Sequence, residues 1–103
     1  MTYKHQFNRK FKQPKDKSNS LKEIRKLTKI KMIILKKILK RGEGAYKTNP
    51  QSVRPQVKSA TQWGIARVYS AVMNYYYWKK TGKEKGAFKT DKDLFEKHQP
   101  GLL

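Results

Sequence analysis

Twenty-six Lys and Arg residues face only seven Asp and Glu in this chain of 103, and that imbalance limits what it can fold into. A formal charge of +19 repels itself in a compact state unless salt or an anionic partner neutralises it. A polyanionic partner therefore reads as part of the working state. The charge is also uneven. Residues 1–41 carry 15 basic and two acidic side chains, and residues 42–103 carry 11 and five. The N-terminal part is the main electrostatic arm.

The length suits one modest domain. Without a cysteine there is no disulfide framework, thiolate metal site or Cys nucleophile. The opening Met-Thr-Tyr-Lys-His-Gln-Phe lacks the apolar core of a secretion signal. The longest apolar run, Met32 to Leu35, falls far short of a membrane span. The expectation is a protein neither exported by a signal peptide nor membrane-spanning.

Residues 1–19 show no sustained period and carry Pro14 among Lys, Arg, Gln, Asn and Ser, which reads as a flexible basic tail. Tyr3, Phe7 and Phe11 sit four apart, so an induced helix would align them beside Lys4, Arg9 and Lys12, which with Lys10 are the tail's candidate phosphate contacts. Ser20 with Glu23 forms a capping box before an apolar-periodic stretch, predicting a first helix over 20–41. Leu21, Ile24, Leu27, Ile34, Leu35, Ile38 and Leu39 share one face. Lys22, Arg25, Lys26, Lys29, Lys36, Lys37 and Lys40 gather on the other, with Arg41 at the end. Glu23 is the only acid on the helix, whereas a face serving solubility alone usually mixes signs, so this face reads as a phosphate-contacting surface. Lys31 interrupts the apolar side and must snorkel or mark a place where it meets something wet.

Gly42, Gly44, Asn49-Pro50 and Pro55 then punctuate an ordered loop, with Gly42 read as the helix C-cap. Gly42-Glu43-Gly44 lacks the strand, following helix and Lys-Ser/Thr of a phosphate loop, and reads as a helix stop. Ser59 with Gln62 opens a second helix over 59–79, whose apolar residues cover well over half its circumference, as a central buried helix would. It ends in Tyr75, Tyr76, Tyr77 and Trp78, which point in every direction. They fit base stacking or a protein interface, and equally core closure with half-exposed tyrosines. Thr90 is read as the cap of a last helix over 90–98.

No catalytic constellation assembles. His5 lies in the tail and His98 near the C-terminal end, and the acids are mostly explained by caps, so the chain is not expected to be an enzyme. Asp91 and Asp93 flank a Lys with no third ligand, a poor metal site, and no cofactor is expected.

The blocks Lys40-Arg-Gly-Glu-Gly-Ala-Tyr-Lys, Ser52-Val-Arg-Pro, Gln62-Trp-Gly-Ile-Ala-Arg-Val-Tyr-Ser, Thr81-Gly-Lys and Thr90-Asp-Lys-Asp-Leu, in that order, resemble a small domain of unknown function found in proteins of tailed phages and large DNA viruses. The resemblance spans about residues 36–98. Its matching positions are Arg41, Gly42, Ala45, Tyr46, Arg54, Pro55, Trp63, Ala66, Arg67, Asp91, Asp93 and Leu94. The chain departs from the pattern at 49–53 and at Gln56-Val57. The resemblance implies a viral setting, in the virion or the host cytoplasm, and no particular activity. Read physically, Arg54 or Arg67 pairing with Asp91 or Asp93 would tie the terminal helix back as a polar clasp. The alternative is direct ligand binding by the same residues.

The expectation is thus an all-α protein: a flexible basic tail (1–19) and a small three-helix domain (20–103) with an ordered loop between its first two helices. Its expected role is non-sequence-specific binding of nucleic acid, DNA foremost, by a virion-associated protein, since no base-reading set of Arg, Asn and Gln lies on one short helix. The competing reading is a minor capsid or head-interior protein docking on other virion proteins through Tyr75–Trp78 and the apolar surface near Lys31.

Overall fold

Apolar side chains run round most of the segment after Ser59, and that segment becomes the helix on which the others pack. The computed structural model describes residues 2–48 and 59–103. There the chain forms α1 (Tyr3–Lys10), α2 (Leu21–Thr28), α3 (Met32–Thr48), α4 (Ala60–Thr81) and α5 (Gly86–His98), closed by a 3-10 turn at Pro100–Leu102. The all-α class is as expected, but among the described residues there are five helices in place of three. Helix α4 buries Gly64, Val68, Tyr69, Ala71, Val72, Asn74 and Tyr75 and packs against α1, α3 and α5, while α2 lies on α3. Ile24, Ile30, Ile34, Leu35, Ile38, Phe88 and Phe95 fill the space around it, all fully buried. Each such side chain contributes about 1.5–3 kcal/mol through removal from water.

The predicted first helix is two helices. Both sides of the Ser20–Glu23 capping box form, but Lys29 adopts a left-handed conformation (φ 66°) and ends α2. On an unbroken helix, Lys31 would stand in the middle of the apolar stripe. The break resets the register, so Ile30 is fully buried and Lys31 exposed. The turn is held locally by Thr28, whose hydroxyl donates to the Ile24 carbonyl (2.7 Å) and accepts from the Ile30 N–H (3.2 Å). It is held remotely by Gln99, whose Oε1 accepts from the Lys31 N–H (2.7 Å) and whose Nε2 donates to the Lys29 carbonyl (2.9 Å).

Gly42 does not cap a helix. Helix α3 runs through Gly42 and Gly44 to Thr48, and the loop read over 42–58 gives up its first residues to it. The reason is the crossing with α4: a Cβ on Gly42 would stand 2.7 Å from the Gly64 Cα, and one on Gly64 would stand 2.7 Å from the Leu39 carbonyl oxygen. The two glycines let the helix backbones approach, which offsets the roughly 1 kcal/mol that an interior helical glycine costs. Arg54 and Pro55, with the rest of 49–58, lie outside the described residues.

The segment expected as a flexible tail is built into the fold. Thr2 caps α1 by accepting from the His5 N–H (3.2 Å). Phe7 and Asn8 are fully buried, with the Phe7 ring 5.3 Å from that of Tyr69. Asn8 Nδ2 donates to the carbonyls of Lys15 (2.9 Å) and Lys17 (3.0 Å), and Asn19 Nδ2 donates to Asn8 Oδ1 (2.7 Å). The Tyr69 hydroxyl on α4 accepts from the Asn19 N–H (2.9 Å). A polar network with α4 at its centre thus orders residues that are too hydrophilic to form a core alone.

Helix α5 begins at Gly86, four residues before Thr90. Gly86 has φ +57°, and the N–H of Ala87 donates to the Ser70 hydroxyl of α4 (3.2 Å). The helix start is therefore satisfied by a neighbouring helix, and the Thr90 hydroxyl donates back to the Ala87 carbonyl (3.0 Å).

Candidate nucleic-acid interface

Three helices meet where Arg41 of α3 and Arg67 of α4 converge on Asp91 and Asp93 of α5. Arg67 grips Asp91 in a two-point contact, Nε to Oδ2 at 2.9 Å and Nη2 to Oδ1 at 2.8 Å. Arg41 Nη1 donates to Asp91 Oδ1 and Asp93 Oδ1, both at 3.0 Å, and its Nη2 donates to Asp93 Oδ2 at 2.8 Å. The Asp91 side chain is 0 % exposed. Such a forked geometry is what makes a buried carboxylate tolerable. Arg41 holds the Asp93 carboxyl below the usual carboxylate range, chiefly through the hydrogen bonds it donates, and the two carboxylates in turn push the Arg41 guanidinium up. The clasp read from Arg67 and Asp91 is present, and Arg41 is its second cation. Arg41, placed among the phosphate contacts by its position beside the lysines, has both ends of its fork on carboxylates.

The clasp and the caps use up acids that would otherwise dilute the basic surface. Glu23 closes the α2 cap and pairs with Lys17 at 2.7 Å, so it leaves Lys22 and Lys26 unneutralised. Among the described residues, the other Lys/Arg pairs with an acid are those of the clasp and Lys92 with Glu84 (3.6 Å). Arg9, Lys10, Lys12, Lys22, Arg25, Lys26, Lys29, Lys36, Lys37 and Lys40 are exposed, and Lys4 is half-buried. The break at Lys29 divides the lysine face into an α2 part and an α3 part.

The aromatic cluster separates into core and surface. Tyr75 is 6 % exposed, stacks on Phe95 at 5.5 Å and donates its hydroxyl to the Leu102 carbonyl (2.9 Å), so it belongs to the core and not to an interface. Tyr76, Tyr77 and Trp78 are half-buried. Each lies under a lysine: Lys10 is 4.5 Å from the Tyr76 ring centre, Lys85 is 4.3 Å from that of Tyr77, and Lys92 is 4.9 Å from that of Trp78. Ammonium groups at these distances are held by the ring quadrupole.

A groove of about 390 Å³ between α3 and α5 is lined by Lys37, Lys40, Arg41, Asp93, Leu94, Lys97 and His98. Lys97 and His98 escaped the sequence reading because nothing local joins them to lysines some sixty residues earlier; only the packing of α5 on α3 does. Among the described residues no three His, Asp or Glu side chains gather as metal ligands, and no described helix is long and apolar enough to cross a membrane.

These features define a small, strongly basic, all-helical domain braced by an arginine–aspartate clasp. The chain belongs to a family of unknown function (DUF5824), whose pattern matches residues 1–95. The match takes in α1 and α2 as well as the region carrying the motif blocks. No curated protein and no solved structure matches the chain.

Proposed function

We propose that this protein binds nucleic acid, DNA foremost, without sequence specificity, through phosphate contacts made by the exposed Lys and Arg side chains of α1, α2 and α3. The observation that carries this reading is the division of labour among the charges. Glu23, Asp91 and Asp93 are engaged in a cap and a clasp, and Glu43, the one acid on α3, accepts from the Thr61 hydroxyl of α4 (3.2 Å), so Lys22, Lys26, Lys36, Lys37 and Lys40 present positive charge with no paired carboxylate among the described residues. A basic surface of this kind releases counterions on binding a phosphate backbone. Among the described residues the exposed side chains of α2 are Lys and Arg, and those of α3 are Lys and Arg apart from Ile33, with no Asn or Gln beside them, which suits positioning on a backbone and not reading of base edges. On the resemblance to viral proteins, the polyanion would be a viral genome and the protein would be virion-associated.

The protein-docking reading loses Tyr75 to the core, and lysines cover the three remaining rings. A surface of half-buried, cation-capped aromatics offers little dry area to a protein partner.

The combined substitution Lys22→Gln, Lys26→Gln and Lys36→Gln tests the proposal. In fluorescence anisotropy with duplex DNA, the slope of log affinity against log salt should shrink by about 0.9 for each phosphate that the variant no longer engages. Circular dichroism should remain that of the parent, because all three side chains are exposed. An unchanged slope would remove these helices from the interface.

A further inference from the structure

We propose that the groove between α3 and α5 is a discrete phosphate-binding subsite, in which Lys37, Lys40 and Lys97 hold one phosphate group beside His98. The inference rests on the polyanion reading above and gives it a particular location. Four permanent cations and one carboxylate line the groove. That carboxylate, Asp93, takes Arg41 on both of its oxygens, so it is not available to the lysines. The ammonium groups of Lys37, Lys40 and Lys97 have no protein acceptor among the described residues. The three lysines line one concave surface from two helices, with Leu94 in its wall.

His98 supplies a second, independent sign. Its Nε2 is buried and has no hydrogen-bond partner. Burial first, then the charges of Lys97, Lys37 and Lys31, hold its pKa below the ordinary histidine value. Lys40, Arg41 and Asp93 are the other charged groups of the groove. The imidazole therefore sits in a field of cations that disfavours its protonation. An anion seated between the lysines would cancel much of that field and bring the imidazole pKa back up. The site accepts a phosphate monoester, a pyrophosphate or one phosphodiester of a nucleic acid by the same chemistry. Arg41 acts here as a positioning residue, fixed by Asp91 and Asp93.

The chain has two histidines, so both imidazoles can be followed by NMR in the full-length protein. His5, in contact with Asp16 at 2.9 Å, serves as the internal comparison. Added pyrophosphate is expected to shift the His98 resonances along a saturating curve and to raise the His98 pKa, with His5 moving far less. Lys37→Gln and Lys97→Gln should each weaken that curve on the order of tenfold, as expected for loss of a charged hydrogen bond. Lys89→Gln, on the same helix but outside the groove, should leave it in place.

A short DNA duplex that produces the same His98 shift identifies nucleic-acid phosphate as the occupant. If pyrophosphate shifts His98 and the duplex does not, the subsite takes small phosphorylated molecules, and its link to nucleic acid is overturned. If the duplex binds by anisotropy while neither ligand moves His98, the subsite is wrong and the general polyanion reading stands. If both histidines drift together without saturation, the lysines gather only a diffuse ion atmosphere, and the proposal fails.

Discussion

Asp91→Ala should destabilise the fold by about 3–5 kcal/mol, the range found when one partner of a buried ion pair is removed. The carboxylate is wholly buried and accepts from both Arg67 and Arg41, so among the described residues its loss strips Arg67 of its only carboxylate and leaves Arg41 with Asp93. The side chain also joins three helices, so no neighbour can relax to fill the gap without changing how α5 packs on α3 and α4. A domain of this size has roughly 5–15 kcal/mol of stability in total. The variant should unfold at much lower urea than the parent, or fail to fold. Asp93→Ala provides the contrast: Asp93 is largely exposed and among the described residues pairs only with Arg41, and surface pairs are worth about 0–1 kcal/mol. Equal urea midpoints for the two variants would show that the clasp does not brace the fold.

Gly64→Ala is the second large effect, expected at about 3 kcal/mol, the upper end of the range for overpacking. The added methyl would meet the Leu39 carbonyl oxygen at 2.7 Å, and a backbone atom in a helix cannot swing aside. Alanine favours an isolated helix by about 1 kcal/mol over glycine, so destabilisation here measures the crossing and not propensity. Gly44→Ala makes the control, because nothing among the described residues lies within 4 Å of a Cβ at that position. Thermal melts should show Gly44→Ala near or above the parent and Gly64→Ala well below it. A Gly64→Ala variant as stable as the parent would mean that α3 and α4 do not cross at these glycines.

What the sequence revealed and what it concealed divide along the range of the interactions. Ser20, Glu23 and Ser59 act within one helical turn, and the caps they predict are present. The apolar girth of 59–79 marked the central helix because its residues declare burial on several sides, and α4 runs over 60–81. A clasp of Arg54 or Arg67 with Asp91 or Asp93 was legible from the need to tie the last helix back, and Arg67 with Asp91 is the pair that forms among the described residues. The rest depended on distant partners. Residues 1–19 show no sustained apolar period, but Phe7 and Asn19 find Tyr69 fifty or more residues away. The start of α5 is satisfied by Ser70 of another helix, so no local cap announces it. The break after Thr28 carries no glycine; its one trace was Lys31, out of place on an apolar stripe. Gly42 looked like a stop because nothing nearby in sequence shows that Gly64 will lie against it. Arg41 looked like one more phosphate contact because periodicity places it beside the lysines without showing Asp93.

Phosphate recognition by exposed lysines stands or falls on the affinity of the unmodified full chain for two unrelated DNA duplexes of equal length, measured by fluorescence anisotropy between low and physiological salt. Equal affinities for the two sequences are expected, with a steep, parallel fall whose slope is about −0.9 for each phosphate engaged. Binding that is indifferent to salt, that prefers one sequence strongly, or that is absent near physiological salt would contradict it.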